Sequence, residues 1–294
     1  MNEPKCQCCN SQQLENLKKS SFFKFPVLKC RDCETGITQI GKDFDLKKYY
    51  DEVYWSTFRN VENKELNEDD VDSGYLVKKL PRFVQKIIES TGVRKAQALS
   101  QFNYIFPIIK GKKILEIGSG EGFLLEYFLK NNFNVFGIEP STDNVKRIND
   151  RLGKKVCIQG YAEDVKKIDD KFDGIILSHV FEHVVNCRDL LSIIYEKLSD
   201  NGILFLEVPN CSNKKILEHS IFEQPHIHHF TLKGFEKISE NTNFSILKKD
   251  IFYSGLETLL SHVKFMIYWI MKKDFNNSSS EEKGTEIRVI FQKI

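Results

Sequence analysis

Residues 113–139 read KILEIGSGEGFLLEYFLKNNFNVFGIE: a short apolar run, a cluster of three glycines, an amphipathic stretch and a second apolar run. This pattern constrains the fold more than any other part of the chain. Ile114, Leu115 and Ile117 suit a strand buried on both faces, and Leu124, Leu125, Phe128 and Leu129 supply the inward stripe of a helix. Strand, turn, helix and strand in that order predict an α/β fold on a parallel sheet. Gly118, Gly120 and Gly122 make GxGxG, which lets backbone pass close to a ligand where any Cβ would collide. The second strand, Asn134 to Ile138, ends in Glu139, 21 residues beyond Gly118, where a parallel-sheet fold places a carboxylate beside a ribose.

Glu116 precedes the cluster by two positions, giving the form (D/E)xGxGxG in place of the GxGxxG spacing of dinucleotide folds. Here the chain resembles the class I S-adenosylmethionine-dependent methyltransferases, from about Lys112 to the C-terminus. Gly160, Tyr161, Ala162 and Glu163 follow a strand at 155–159, matching the family's segment that borders the adenine. A fourth strand over Phe172 to Ser178 leads into HVFEHV, and NGILFLEVP at 201–209 matches the fifth. A helix over 231–243 with Leu232, Phe235 and Ile238 inward, a strand over 245–253 and a last strand over 285–294 complete the order. The implied fold class is α/β, with a Rossmann-like seven-stranded methyltransferase sheet whose last strand is antiparallel.

The resemblance implies site roles as well. Glu116 and Gly118 approach the methionyl part of S-adenosylmethionine, Gly120 and Gly122 shape the turn, and Glu139 accepts from the ribose hydroxyls. Ser119, Pro140, Ala162, Glu163, Ser178 and His179 complete the expected cofactor-binding set. Five of the seven histidines fall in two groups, His179 with His183 and His226, His228 and His229, each after a strand end where open parallel sheets bind ligands. Histidine titrates near neutrality and is the usual general base. His226 leads as catalytic base, since it resembles the family's histidine after the fifth strand, and His183 and His229 are further candidates. His179, Glu182 and His183 stand at i, i+3 and i+4, so on a helix they would share a face and could bind a divalent cation with His226 or His228.

Five of the eight cysteines lie in the first 33 residues, four of them as two CxxC pairs, Cys6 with Cys9 and Cys30 with Cys33. In a reducing compartment such clusters hold metal more often than disulfides. Four thiolates satisfy tetrahedral Zn²⁺ and leave no open position, so the expected site is structural. Cys8 could compete with its neighbours as a ligand; Cys157, Cys187 and Cys211 read as small core residues.

Three domains are expected: a zinc-ribbon head at 1–40, a helical lid or linker at 41–110 and the methyltransferase domain at 111–294. KKYYDEVYW at 47–55 offers Tyr50 and Tyr54 as lid tyrosines over donor and acceptor, and Arg82 is a possible partner for an anionic acceptor. Leu256 to Met271 carries apolar residues at helical spacing but is broken by Glu257, His262 and Lys264 and is too short to span a bilayer. The N-terminus lacks an apolar signal core, so a cytoplasmic location is expected. Lys and Arg (43) nearly balance Asp and Glu (41), which disfavours a nucleic-acid partner. The zinc-type head on this body resembles bacterial methyltransferases of nucleotide-linked sugars and surface-polysaccharide precursors. O-methylation of such a small acceptor is the expected function; a quinone, lipid or tRNA acceptor, or a non-catalytic donor-binding module, are the alternatives.

Overall fold

A computed structural model describes residues 4–18, 21–41, 43–49, 93–253 and 277–294. Tyr50, Tyr54, Arg82 and the apolar stretch from Leu256 to Met271 lie outside the described residues. The chain divides into two compact units, one of residues 1–40, 101–254 and 276–294, the other of residues 41–100 and 255–275. Within the second, a helical turn spans Leu46–Tyr49. The cysteine-rich segment, expected as a separate head, shares a unit with the sheet.

The elements of the first unit, in chain order, are β1 (Leu14–Lys18), β2 (Val27–Cys30), β3 (Gly36–Thr38), β4 (Lys113–Ile117), α1 (Phe123–Lys130), β5 (Asn134–Glu139), α2 (Thr142–Leu152) and β6 (Cys157–Gln159). There follow β7 (Phe172–Ser178), α3 (Cys187–Lys197), β8 (Leu198–Pro209), α4 (Lys214–Phe222), β9 (His228–His229), α5 (Leu232–Glu240), β10 (Phe244–Tyr253), β11 (Asn277–Ser278) and β12 (Glu286–Lys293). The main sheet has the order β11-β10-β12-β8-β7-β4-β5-β6. β4 to β8 are parallel, and β12 runs antiparallel between β8 and β10. This is the expected seven-stranded mixed sheet, extended by the two-residue β11.

Local chemistry accounts for the elements. Ile114, Leu115 and Ile117 of β4 are buried, as befits a central strand covered on both faces. Leu124, Leu125 and Phe128 form the buried face of α1. α2, α3, α4 and α5 begin at Ser141, Asn186, Asn213 and Thr231, whose side chains accept from backbone N–H groups of the first turn. HVFEHV does not form the helix on which His179, Glu182 and His183 would share a face. His179 sits at φ 52°, and only Phe181–His183 make a single 3-10 turn.

The cysteine-rich segment forms a second, four-stranded sheet in the order β1-β2-β3-β9. Its last strand comes from the other end of the chain, with Gly36 opposite His229 and Ile37 opposite His228. The approach is close: a Cβ on Gly36 would lie 3.1 Å from the His229 side chain, and one on Gly234 would lie 2.3 Å from Thr35 Oγ1. Thr231 Oγ1 donates to the Cys33 carbonyl at 2.7 Å. Phe230 stacks between Phe181 and Phe235, with ring centroids 5.1 Å from each, in one apolar cluster with Cys6, Cys8, Cys30 and Cys33.

Candidate active site

The turn after β4 is built by its glycines. Gly118, Gly120 and Gly122 all take positive φ, at 74°, 54° and 69°. Ser119 Oγ closes the turn on the Glu116 carbonyl at 3.1 Å. A Cβ on Gly118 would meet Val180 Cγ2 at 2.3 Å, whereas one on Gly120 would enter open space with nothing within 4 Å. That opening is beside Glu139, whose carboxylate accepts from the Gly120 N–H at 2.8 Å and the Ser141 N–H at 3.1 Å. Asn144 Nδ2 also donates to it, at 3.4 Å, so the acid is fixed in place beside the turn.

Glu116 is buried at the end of β4, and its Oε2 has no hydrogen-bond partner among the described residues. Burial, and then the charge of Glu139, hold its pKa well above the carboxylate range. A buried acid bonded to the Leu125 backbone but with one oxygen unpartnered, beside an open glycine turn, fits a ligand that brings a cation, such as the ammonium of a methionyl group. Gly160 continues from β6, its N–H bonded to the Glu139 carbonyl at 3.2 Å, and Tyr161 and Ala162 follow, half-buried. Glu163 is exposed. Pro140, beside Glu139, accepts from Gln159 Nε2 at 3.2 Å through its carbonyl.

Ser178 and His179 belong to a buried charge network. Ser178 Oγ donates to Glu207 Oε1 at 3.0 Å and accepts from Gln101 Nε2, and Glu207 pairs with Arg288. His179 stands among Glu182 (3.4 Å), Glu286 (3.6 Å) and Glu207 (3.7 Å). Burial opposes its charge, but Glu286, Glu182 and Glu207 outweigh burial and push its pKa up to about 10. These carboxylates favour its protonated form, which makes it a weak base and a weak metal ligand.

His183 and His226 meet edge to face, with ring centroids 4.8 Å apart. Burial lowers both pKa values, and the neighbouring His183 depresses His226 further, so His226 is a neutral imidazole. His183 Nδ1 donates to the Pro225 carbonyl at 3.1 Å, which leaves Nε2 with a lone pair. His226 Nε2 lies 3.9 Å from Glu182 Oε1. Ligand atoms of Glu182, His183 and His226 all fall within 4.8 Å of one another and could hold a divalent cation; His179 does not join them.

His228 and His229 point elsewhere. His228 stacks on Phe230 in the core, and burial takes its pKa to about 4. His229, a candidate base from sequence, is fully buried with both ring nitrogens engaged, by Ser220 and by Thr38. It cannot reach an acceptor. Cys6, Cys9, Cys30 and Cys33 converge as their spacing predicts, with sulfurs within 4.8 Å of one another and 3.4 Å within the pairs Cys6–Cys33 and Cys9–Cys30.

Residues 91–249 match the methyltransferase domain family. The chain belongs to that family. Its fold is that of an S-adenosylmethionine-dependent methyltransferase from Archaeoglobus fulgidus, with TM-score 0.53 and 22% identity over 71% of this chain and 99% of that one. It is also that of the plantazolicin methyltransferase crystallised with S-adenosylhomocysteine, with TM-score 0.52 and 16% identity over 84% of this chain and 94% of that one. The mitochondrial ubiquinone biosynthesis O-methyltransferase of Bos taurus is 29% identical over 35% of this chain and 30% of its own length. Its counterpart in Azorhizobium caulinodans is 30% identical over 35% of this chain and 42% of its own length. The chain thus spans less than half of these relatives. The matched region is a methyltransferase domain, and no helix among the described residues is long and apolar enough to cross a membrane.

The fold places beside Ser178, His179 and His226 residues that no motif singles out: Thr38, Gln101, Glu207, Ser220, Glu286 and Arg288. Two of them carried a signal. Glu207 is the one charge in the run GILFLEVP, and Arg288 is the one charge in IRVIF; in the sheet they stand directly opposite each other.

Proposed function

We propose that this enzyme transfers the methyl group of S-adenosylmethionine to a hydroxyl oxygen of a small acceptor, with His226 as general base. The observation that carries this reading is the neutral His226 beside buried Glu182, beyond the ends of β7 and β8. The cofactor supplies an activated methyl on a sulfonium. When it binds, Glu139 and the backbone at Gly120 would hold its ribose, and Glu116 would give up its proton and pair with its ammonium. The chain's remaining task is to align the acceptor, a contribution that can reach about 7–11 kcal/mol, and to take its proton. His226 accepts that proton, and the Glu182 carboxylate 3.9 Å away stabilises the imidazolium that forms. A divalent cation held by Glu182, His183 and His226 would instead polarise the acceptor oxygen, and sensitivity of turnover to chelators separates the two.

A phenolic or quinol acceptor is favoured over the nucleotide-linked sugar or polysaccharide precursor that the head recommends. The O-methyltransferases of ubiquinone biosynthesis among the relatives support that preference. A panel of dihydroxybenzoates and nucleotide-linked sugars, assayed with labelled donor, tests it: turnover only with sugars reverses it, and turnover with neither overturns both. His226→Ala should lower kcat by about 10²- to 10⁴-fold while donor affinity in calorimetry stays within about twofold. An unchanged kcat removes His226 as base.

Structural zinc in the four-thiolate cluster is part of the same proposal. Four sulfurs at about 2.3 Å from a tetrahedral ion stand about 3.8 Å apart, close to the sulfur spacing here.

A further inference from the structure

A buried hydrogen-bond chain runs from His226 into the cysteine-rich segment. Ser220 Oγ lies 2.8 Å from His226 Nδ1 and 2.8 Å from His229 Nδ1. His229 Nε2 lies 3.1 Å from Thr38 Oγ1, and Thr38 Oγ1 donates to the His226 carbonyl at 3.2 Å. All four residues are buried, so no solvent competes for these groups.

Counting protons fixes the direction of the chain. Each hydroxyl has one proton to give, and a carbonyl only accepts. Thr38 gives its proton to the His226 carbonyl, so its oxygen accepts from His229 Nε2–H. A neutral imidazole with its proton on Nε2 presents a lone pair at Nδ1. Ser220 donates there, so its oxygen accepts from His226 Nδ1–H. The remaining nitrogen of His226, Nε2, then carries the lone pair, on the side of Glu182 and His183. The opposite direction would put a proton on Nε2, from which Glu182 Oε1, at 3.9 Å, is beyond hydrogen-bonding distance.

We propose that Thr38 is a positioning residue, setting the tautomer of His226 through His229 and Ser220 so that Nε2 presents its lone pair to the acceptor. The cysteine-rich segment is then part of the active site by way of one hydroxyl. Its value for catalysis rests on His226 acting as base, but the tautomer itself does not.

Thr38→Val removes the hydroxyl and strands His229 Nε2–H. A stranded N–H on the fully buried His229 is costlier than one on His226, which keeps 7% exposure, so the chain reverses and His226 takes its proton on Nε2. Thr38→Ser keeps the direction. The measurement is ¹⁵N NMR of the full chain labelled at histidine, with His226 assigned by the resonance lost in His226→Asn. Nδ1–H is expected in the wild type and in Thr38→Ser, and Nε2–H in Thr38→Val. Turnover should fall by about tenfold or more in Thr38→Val, with donor affinity within about twofold and recovery in Thr38→Ser. Nε2–H in the wild type overturns the proposal without recourse to any variant, as does an unchanged tautomer in Thr38→Val. Should Thr38→Val fail to fold, Ser220→Ala cuts the chain at its middle, and retention of Nδ1–H there overturns it equally. A reversed tautomer with unchanged kcat upholds the chain and refutes His226 as base.

Discussion

At the scale of single residues, the proposed donor pocket rests on two acids in opposite circumstances. Glu139 is held by backbone N–H groups, and Glu116 is buried with an unpartnered oxygen. Glu139→Ala removes the acceptor for the ribose hydroxyls, and hydrogen bonds to a charged group contribute about 1.5–3 kcal/mol. Donor affinity in calorimetry should therefore fall by about 10- to 100-fold. Glu116 has its pKa raised in the fold, so the folded protein binds more protons than the unfolded chain and stability falls as pH rises above the ordinary carboxyl value. The melting temperature of the donor-free enzyme should drop from pH 5 towards neutrality, and Glu116→Gln should flatten that slope. A parallel slope in the variant would assign the effect to other groups. Glu116 and Glu139 were legible from their spacing to the glycines. Ser220 and Thr38 were not, because a hydroxyl gains its role only from what tertiary contact brings to it.

At the scale of elements, the glycine turn and the head each depend on close approach. Gly118 combines φ 74° with Val180 Cγ2 at 2.3 Å from a would-be Cβ. Gly118→Ala should cost about 2 kcal/mol or more in chemical unfolding, from left-handed strain plus displacement of Val180. In the head, metal analysis should find about one zinc per chain, and chelation should lower thermal stability along with turnover, since β9 pairs with β3. Loss of zinc with full activity would separate the head from catalysis. The turn could be read because glycine spacing is local. The strand pairing of β3 with β9 could not, since 190 residues separate Thr38 and His228 and a two-residue strand has no periodicity to detect.

At the scale of the whole molecule, Glu207 and Arg288 fasten β8 to β12 beneath His179, with Gln101 and Ser178 completing the cage. Both charges are buried, and Arg288 overcomes the burial that would otherwise raise the pKa of Glu207. Removing one partner strands the other. Arg288→Met should destabilise by about 3–5 kcal/mol in denaturant unfolding, whereas replacing both with apolar residues should recover much of that loss. A small effect of the single change would mean that water reaches Glu207.

The sequence by itself determined the order of strands and helices, the glycine turn with its two acids, and the convergence of the two CxxC pairs. Each of these depends on spacing within one short segment, where backbone geometry converts residue number directly into position. The tertiary structure alone decided which histidines are locked into the core and which stand beside Glu182. His183, His226 and His229 are alike as residues, and the close packing of the cysteine-rich sheet on β9 buries His229 while leaving His226 beside Glu182. Burial and hydrogen-bond partners, which depend on segments far apart in the chain, set whether each imidazole carries charge and where its lone pair points.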